Sequence, residues 1–166
     1  MQNYRFSPIE DKNKLLEAIN YIHVGCHELS MSSFGIYLPI VGSIGVFCHD
    51  DDEYERLLAI QKEMVDQSDD YDGKYFRLHE PIIIPKTDDV PAAVYTHLYI
   101  GKPDQSRAQV GELDFYMPPA EYEKLKQSLL DGKELKGLQI DQSDTNMVDL
   151  YDPDNDTSAH ISPTTL

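Results

Sequence analysis

Four segments of the sequence set reactive side chains at every second position. Tyr95, His97 and Tyr99 alternate with Val94, Thr96, Leu98 and Ile100, and Glu112, Asp114 and Tyr116 alternate with Leu113, Phe115 and Met117. Asp149 and Tyr151 alternate with Val148 and Leu150, and His160 shares a phase with Ser158 and Ser162. Successive side chains of a strand point to opposite faces, so each segment, if extended, has one polar face and one less polar face. Polar faces gathered around one concavity can hold a small molecule, with Tyr95, Tyr99, Asp114, Tyr116 and Tyr151 as the candidate ligand-binding residues. An antiparallel sheet with one solvated face has the same alternation.

A second group combines thiols and imidazoles. "HVGCH" places His23, Cys26 and His27 at spacings of three and four, and "FCH" adds Cys48 and His49. Such a set matches tetrahedral zinc. Against it, no CxxC pair is present, and Cys26 lies on an apolar helical stripe where a thiol packs as a small hydrophobe, so packing is preferred. Cys48 beside His49 and Asp50 is a poor nucleophile pattern, because adjacent strand residues face opposite ways. Lys102 and Arg107 make a small basic turn after Gly101. They either hold an anionic ligand or relieve local repulsion, and the second is preferred. No GxGxxG, P-loop, HExxH or GxSxG signature occurs, which disfavours nucleotide and triad hydrolysis.

The elements that must position these groups are written twice. "VGSIGVFCHDDDEYERL" (41–57) and "VGELDFYMPPAEYEKL" (110–125) each run from Val-Gly through alternating residues to Glu-Tyr-Glu, a basic residue and Leu. Each spacing predicts a strand and then a helix. Tyr54, Leu57, Leu58, Gln61, Met64 and Val65 form one stripe, and Tyr122, Leu125 and Leu129 another. Asp50 with Glu53 has the spacing of a capping box, Pro118-Pro119 fixes the second helix start, and Asp131-Gly132 ends it. Strands are predicted in "KYFRLHEPIIIP" and "AVYTHLYIG" after the first helix, and in "LKGLQID", "NMVDLY" and "SAHIS" after the second. A leading amphipathic helix spans 11–30, with Leu15, Ile19, Ile22, Cys26 and Leu29 on one stripe, and "SFGIYLP" reads as an extra strand. The fold class is therefore α+β: duplicated β-α-β-β(-β) modules, a mostly antiparallel sheet and a leading helix. The modules cover about 34–101 and 110–162 of a single domain, 1–162, and 163–166 form a loose tail.

This duplicated unit resembles the vicinal oxygen chelate superfamily of glyoxalases, bleomycin-resistance proteins and extradiol dioxygenases, mainly over residues 110–162. The late "YDPD" carries the likeness, although Asp152-Pro153-Asp154-Asn155-Asp156 lacks the glycine usual in that motif. The resemblance implies a cup of curled sheets with helices outside and a ligand within. By position it also implies His97, Glu112 and His160 as ligands of one divalent ion, Zn, Fe, Mn or Ni. The first module's opening strand offers only Ser43 and Gly45 where the family has a ligand.

The chain has 166 residues, 30 acids against 14 bases and a formal net charge of −16. That charge opposes binding to nucleic acid, and either maintains solubility or imitates nucleic acid toward a basic partner. Two cysteines and an N-terminus without an apolar segment suggest reduced thiols and the cytoplasm, and no apolar run suggests a membrane. The expected function is small-molecule binding or metal-assisted catalysis of the glyoxalase or dioxygenase type. The alternative is a non-catalytic acidic interaction protein, with a homodimer or a basic protein as partner. Whether the protein is an enzyme stays open at this level.

Overall fold

The computed structural model describes residues 4–68, 74–141, 144 and 146–166. Asp11 caps the first helix, α1 (Lys12–Phe34), its side chain accepting from Lys14 N. The helix buries Leu15, Ile19, Ile22, Cys26 and Leu29, the stripe expected from spacing, and Ala18 beside them. It runs past 30, and only Gly35 stops it, in the left-handed conformation (φ 70°) with its N–H on Met31 O. The strand expected in "SFGIYLP" is thus replaced by the last turn of α1, a glycine cap and a non-strand link.

Next come β1 (Ile40–Phe47), α2 (Asp51–Met64), β2 (Val65–Ser68), β3 (Phe76–Ile84) and β4 (Ala93–Gly101). Then β5 (Gly111–Tyr116), α3 (Pro119–Leu130), β6 (Leu138–Ile140), β7 (Val148–Leu150) and β8 (Ser158–Ser162) repeat the same sequence of elements. Among the described residues all eight strands form one sheet, in the order β2-β3-β4-β1-β5-β8-β7-β6. Five of the seven pairings are antiparallel. The other two, β1 with β4 and β5 with β8, are parallel and occupy corresponding places in the two halves. The halves meet along β1 and β5, where Ile44 faces Leu113.

One face of this sheet carries Ile44, Val46, Leu98, Ile100, Leu113, Phe115, Ala159 and Ile161, all buried. Helix α1 lies against β5, β8, β1 and β7, and α2 against β4, β2 and β3. The α2 start is fixed by Asp50, which accepts from Glu53 N, while Glu53 turns back to accept from His49 N and Ile9 N. Helix α3 lies against β6 with Tyr122 buried and Leu125 and Leu129 half-buried, a shallower seat than the stripe alone suggests. No helix among the described residues is long and apolar enough to cross a membrane.

Candidate functional site

The face of the sheet turned away from α1 carries a row of polar residues. Register places Arg77 (β3) beside His97 (β4), His97 beside Ser43 (β1), Asp114 (β5) beside His160 (β8), His160 beside Asp149 (β7), and Asp149 beside Gln139 (β6). Ser43 closes the row by donating from Oγ to Asp114 Oδ2 at 3.1 Å. Alternation in the sequence is what aligns this row, since each strand contributes the residue of one phase.

His160 is its centre of charge. Nδ1 lies 2.6 Å from Asp149 Oδ1 and Nε2 lies 2.7 Å from Glu112 Oε2. Burial opposes charging this ring, but the hydrogen bonds to Asp149 and Glu112 and the nearby Asp114 charge outweigh it, raising the pKa to about 10. The ring is therefore an imidazolium at neutral pH, with both N–H groups donating. Burial pushes the Glu112 carboxyl up, yet the His160 hydrogen bond and charge prevail and hold it below its ordinary value. Burial leaves Asp114 and Asp149 above theirs; around Asp149 the His160 bond works against burial and the Asp141 carboxylate adds to it.

Asp141, Asp149 and His160 bring ligand atoms within 4.8 Å of one another, a set chemically suited to a divalent ion. The spacing decides what it holds. Two ligands at cis positions, each about 2.1 Å from a metal, stand about 3.0 Å apart. The His160–Asp149 contact is 2.6 Å, the length of a charge-assisted hydrogen bond. The present geometry fits a shared proton better than a shared ion.

The sequence-predicted residues separate here. Glu112 and His160 meet, with Asp114 beside them. His97 does not join: β1 and β5 lie between β4 and β8, a separation of about 14 Å at three strand spacings. Its Nδ1 lies 2.9 Å from Thr96 Oγ1. Tyr95 departs further, because an irregularity between Arg77 and Ile82 in the β3–β4 pairing breaks the alternation. Tyr95 is fully buried, and its hydroxyl lies 2.7 Å from His23 Nδ1 under α1. Tyr116 follows the β5–β8 register to Ser162, past His160, and Tyr151 lies beyond the end of β7 in a shallow depression with Leu129 and Leu135. Asp141 is not among the residues the sequence singles out, although it shares a phase with Gln139 opposite Leu138 and Ile140, a pattern that would have placed it on the polar row.

Tyr99 has a different place. It helps line a cavity of about 520 Å³ between α2, the approach to β3, the end of β4 and the loop that follows. Tyr54, Leu58 and Gln61 of α2 form one wall, Phe76, Tyr99 and Ile100 another, and Lys74, Lys102 and Arg107 bring positive charge. The cavity reaches the polar row. Lys74 Nζ lies 4.2 Å from the centre of the Tyr99 ring and 4.0 Å from Glu112 Oε1. Gly45 makes room between them, since a Cβ there would stand 2.9 Å from Tyr99 and 3.3 Å from Glu112.

The cysteines take no part. Cys26 donates to Ser158 O and Cys48 to Gly101 O, and burial raises both thiols to about 12. His49 is tied to Ser7 and to Arg107 O. The Asp-Pro-Asp turn is structural: Asn155, standing where the glycine was expected, bonds Gly25 O from its side chain and accepts from Thr157 N.

No family model and no curated protein matches this chain. A solved structure from structural genomics, of a protein named EC4020, superposes with a TM-score of 0.57 over 99% of this chain and 94% of its own, at 18% identity. That likeness extends to the fold alone.

Proposed function

We propose that the protein binds a small molecule in the cavity between α2, β3 and β4. The observation that carries this reading is the cavity's construction. Its volume of about 520 Å³ falls within the range of small-molecule sites, and apolar walls surround a few convergent charged groups. Regular elements hold most of the lining in place: Gln61 donates to Leu98 O at 3.0 Å, tying α2 to β4.

Binding is favoured over acid–base catalysis by the His160–Glu112 pair of the adjoining network. A general acid or base works best with a pKa near the working pH. His160 is held charged and Glu112 ionised at neutral pH, so neither cycles readily. Their role is to keep a fixed charge pattern behind Tyr99 and Lys74. The repeated element order agrees with the resemblance to the vicinal oxygen chelate superfamily, although that resemblance implies a ligand inside the sheets and this cavity has α2 for one wall.

A second reading, metal-assisted catalysis, rests on the Asp141–Asp149–His160 set. There Nδ1 of a neutral His160 would be the ligand while Nε2–H donated to Glu112, the outer partner that metal-bound imidazoles commonly have. Elemental analysis of protein purified without chelator separates the two readings. Near-stoichiometric metal, lost in His160→Ala, selects the second.

The binding reading is tested by screening a small-molecule fragment library against isotope-labelled protein. Compounds should move the amide signals of Leu58, Tyr99, Ile100 and Arg107 together. A library whose members move none of them sinks the proposal.

A further inference from the structure

We infer that the cavity selects a small aromatic oxyanion, a carboxylate or phosphate ester on a planar ring, with Arg107 as the residue that recognises its charge. This rests on the reading of the cavity as a binding site and adds the class of ligand.

The charge pattern is the first reason. The chain carries −16 overall with only 14 basic residues, yet Lys74, Lys102 and Arg107 converge on this one cavity. The acid among the lining residues, Asp104, is already engaged, accepting from Ser106 N and Ser106 Oγ at 2.9 and 2.6 Å. Among the described residues, neither Lys102 nor Arg107 is in an ion pair. Arg107 is near enough to Asp104 and Glu112 to lower both carboxyls, yet it is at ion-pair distance from neither.

Arg107 is also held in place. Its guanidinium carbon lies 3.6 Å from the centre of the Phe47 ring, and Nη2 donates to Lys102 O at 3.1 Å. Gly101 leaves the space it occupies, since a Cβ there would stand 3.0 Å from Nη2. Nε is buried without a hydrogen-bond partner. That Nε has no open surface for a ligand to reach, so an oxyanion would be recognised through the Nη N–H groups not taken by Lys102 O. A stacked, planar fork suits a carboxylate or phosphate better than an ammonium does.

The rest of the lining fixes the body of the ligand. Tyr54, Phe76 and Tyr99 present ring surfaces, and Leu58, Ile100 and Pro103 fill between them. A planar apolar ring gains from such walls, whereas a bare inorganic anion does not. Because the protein as a whole repels anions, tight anion binding reports this local site rather than diffuse attraction.

The test is calorimetric titration with four probes: benzoate, phenyl phosphate, the uncharged benzamide and inorganic phosphate. Benzoate or phenyl phosphate should bind at least tenfold more tightly than benzamide and inorganic phosphate. Lys102→Gln, at an exposed position, and Arg107→Gln should each weaken the anionic probes by a larger factor than benzamide, and Arg107→Lys should not restore the loss from Arg107→Gln. Benzamide binding as tightly as benzoate would overturn the charge selection and leave the binding site standing. Inorganic phosphate binding as tightly as phenyl phosphate would overturn the aromatic half. Absence of binding by all four, with fragments still moving the cavity amides, overturns this inference alone. Absence of both overturns the site.

Discussion

His160 Nε2 donates to Glu112 Oε2 at 2.7 Å, although the register partner of His160 on β5 is Asp114 and that of Glu112 on β8 is Ser158. The contact is diagonal, and it leaves Nδ1 to Asp149 on the other side. One imidazolium therefore ties β5 to β7 through β8. Its folded pKa, about 10, exceeds the ordinary value of 6.5. The folded state thus binds the extra proton between those values, and the stabilisation is complete below pH 6.5 and lost as pH rises through 10.

Unfolding free energy should accordingly fall between pH 7 and 8.5, with a His160 contribution of up to about 1.4 kcal/mol per pH unit. Denaturant titrations of wild type and His160→Gln over that interval check it. The variant should be less stable throughout but lack this slope, and an equal slope in both proteins would show that His160 is not the group responsible.

On the acid side the sign reverses. Burial, with the neighbouring His27 charge, lowers His23 from 6.5 to about 4, so the unfolded chain binds more protons across that range. Stability should drop as pH falls from 6.5 to 4. His23→Gln should flatten part of this limb, as read from melting temperature against pH.

Much of the fold was legible because burial on one side of a sheet and one side of a helix leaves a period. The α1 stripe, the paired strand–helix units and the Asp50 cap follow from spacing alone. The polar row was legible for the same reason. What periodicity could not provide was the order of strands, which separates His97 from His160, or the β3–β4 irregularity that turns Tyr95 under α1. The cavity was less legible still. Lys74, Tyr99 and Arg107 come from a strand approach, a strand and a loop, so only tertiary structure unites them, and the basic turn looked like relief of repulsion.

Glu53 offers a sharper stability test than any apolar residue. Fully buried, it accepts from Ile9 N, His49 N and Ser7 Oγ, pinning the N-terminal segment to the start of α2. Glu53→Ala strands those donors and should cost about 3 kcal/mol or more. Leu125→Ala, from a half-buried site, should cost about 1–2 kcal/mol, below the range of full core truncations. Chemical denaturation of both variants measures the contrast, and a larger loss from Leu125→Ala would reverse the assignment.

Gly25 sets helix propensity against packing. Alanine is favoured in a helix by about 1 kcal/mol. A Cβ at Gly25, however, would meet the buried Thr157 side chain at 2.7 Å, and Thr157 is held by Asn155 at 2.7 Å. Packing should win: Gly25→Ala is expected to lower the melting temperature, and a rise would mean that α1 and the β8 approach yield more easily than these contacts allow.

The most direct measurement of small-molecule binding between α2 and the β3–β4 strands compares wild type with a variant whose cavity is filled. Leu58 lines the cavity and is 37% exposed, so Leu58→Trp can occupy the space with little disturbance of the core. Any fragment that moves the Tyr99 and Arg107 amides of wild type should fail to bind this variant, while the melting temperature stays close to that of wild type. Unchanged binding in Leu58→Trp, with the same amides moving, would place the ligand elsewhere and contradict the site.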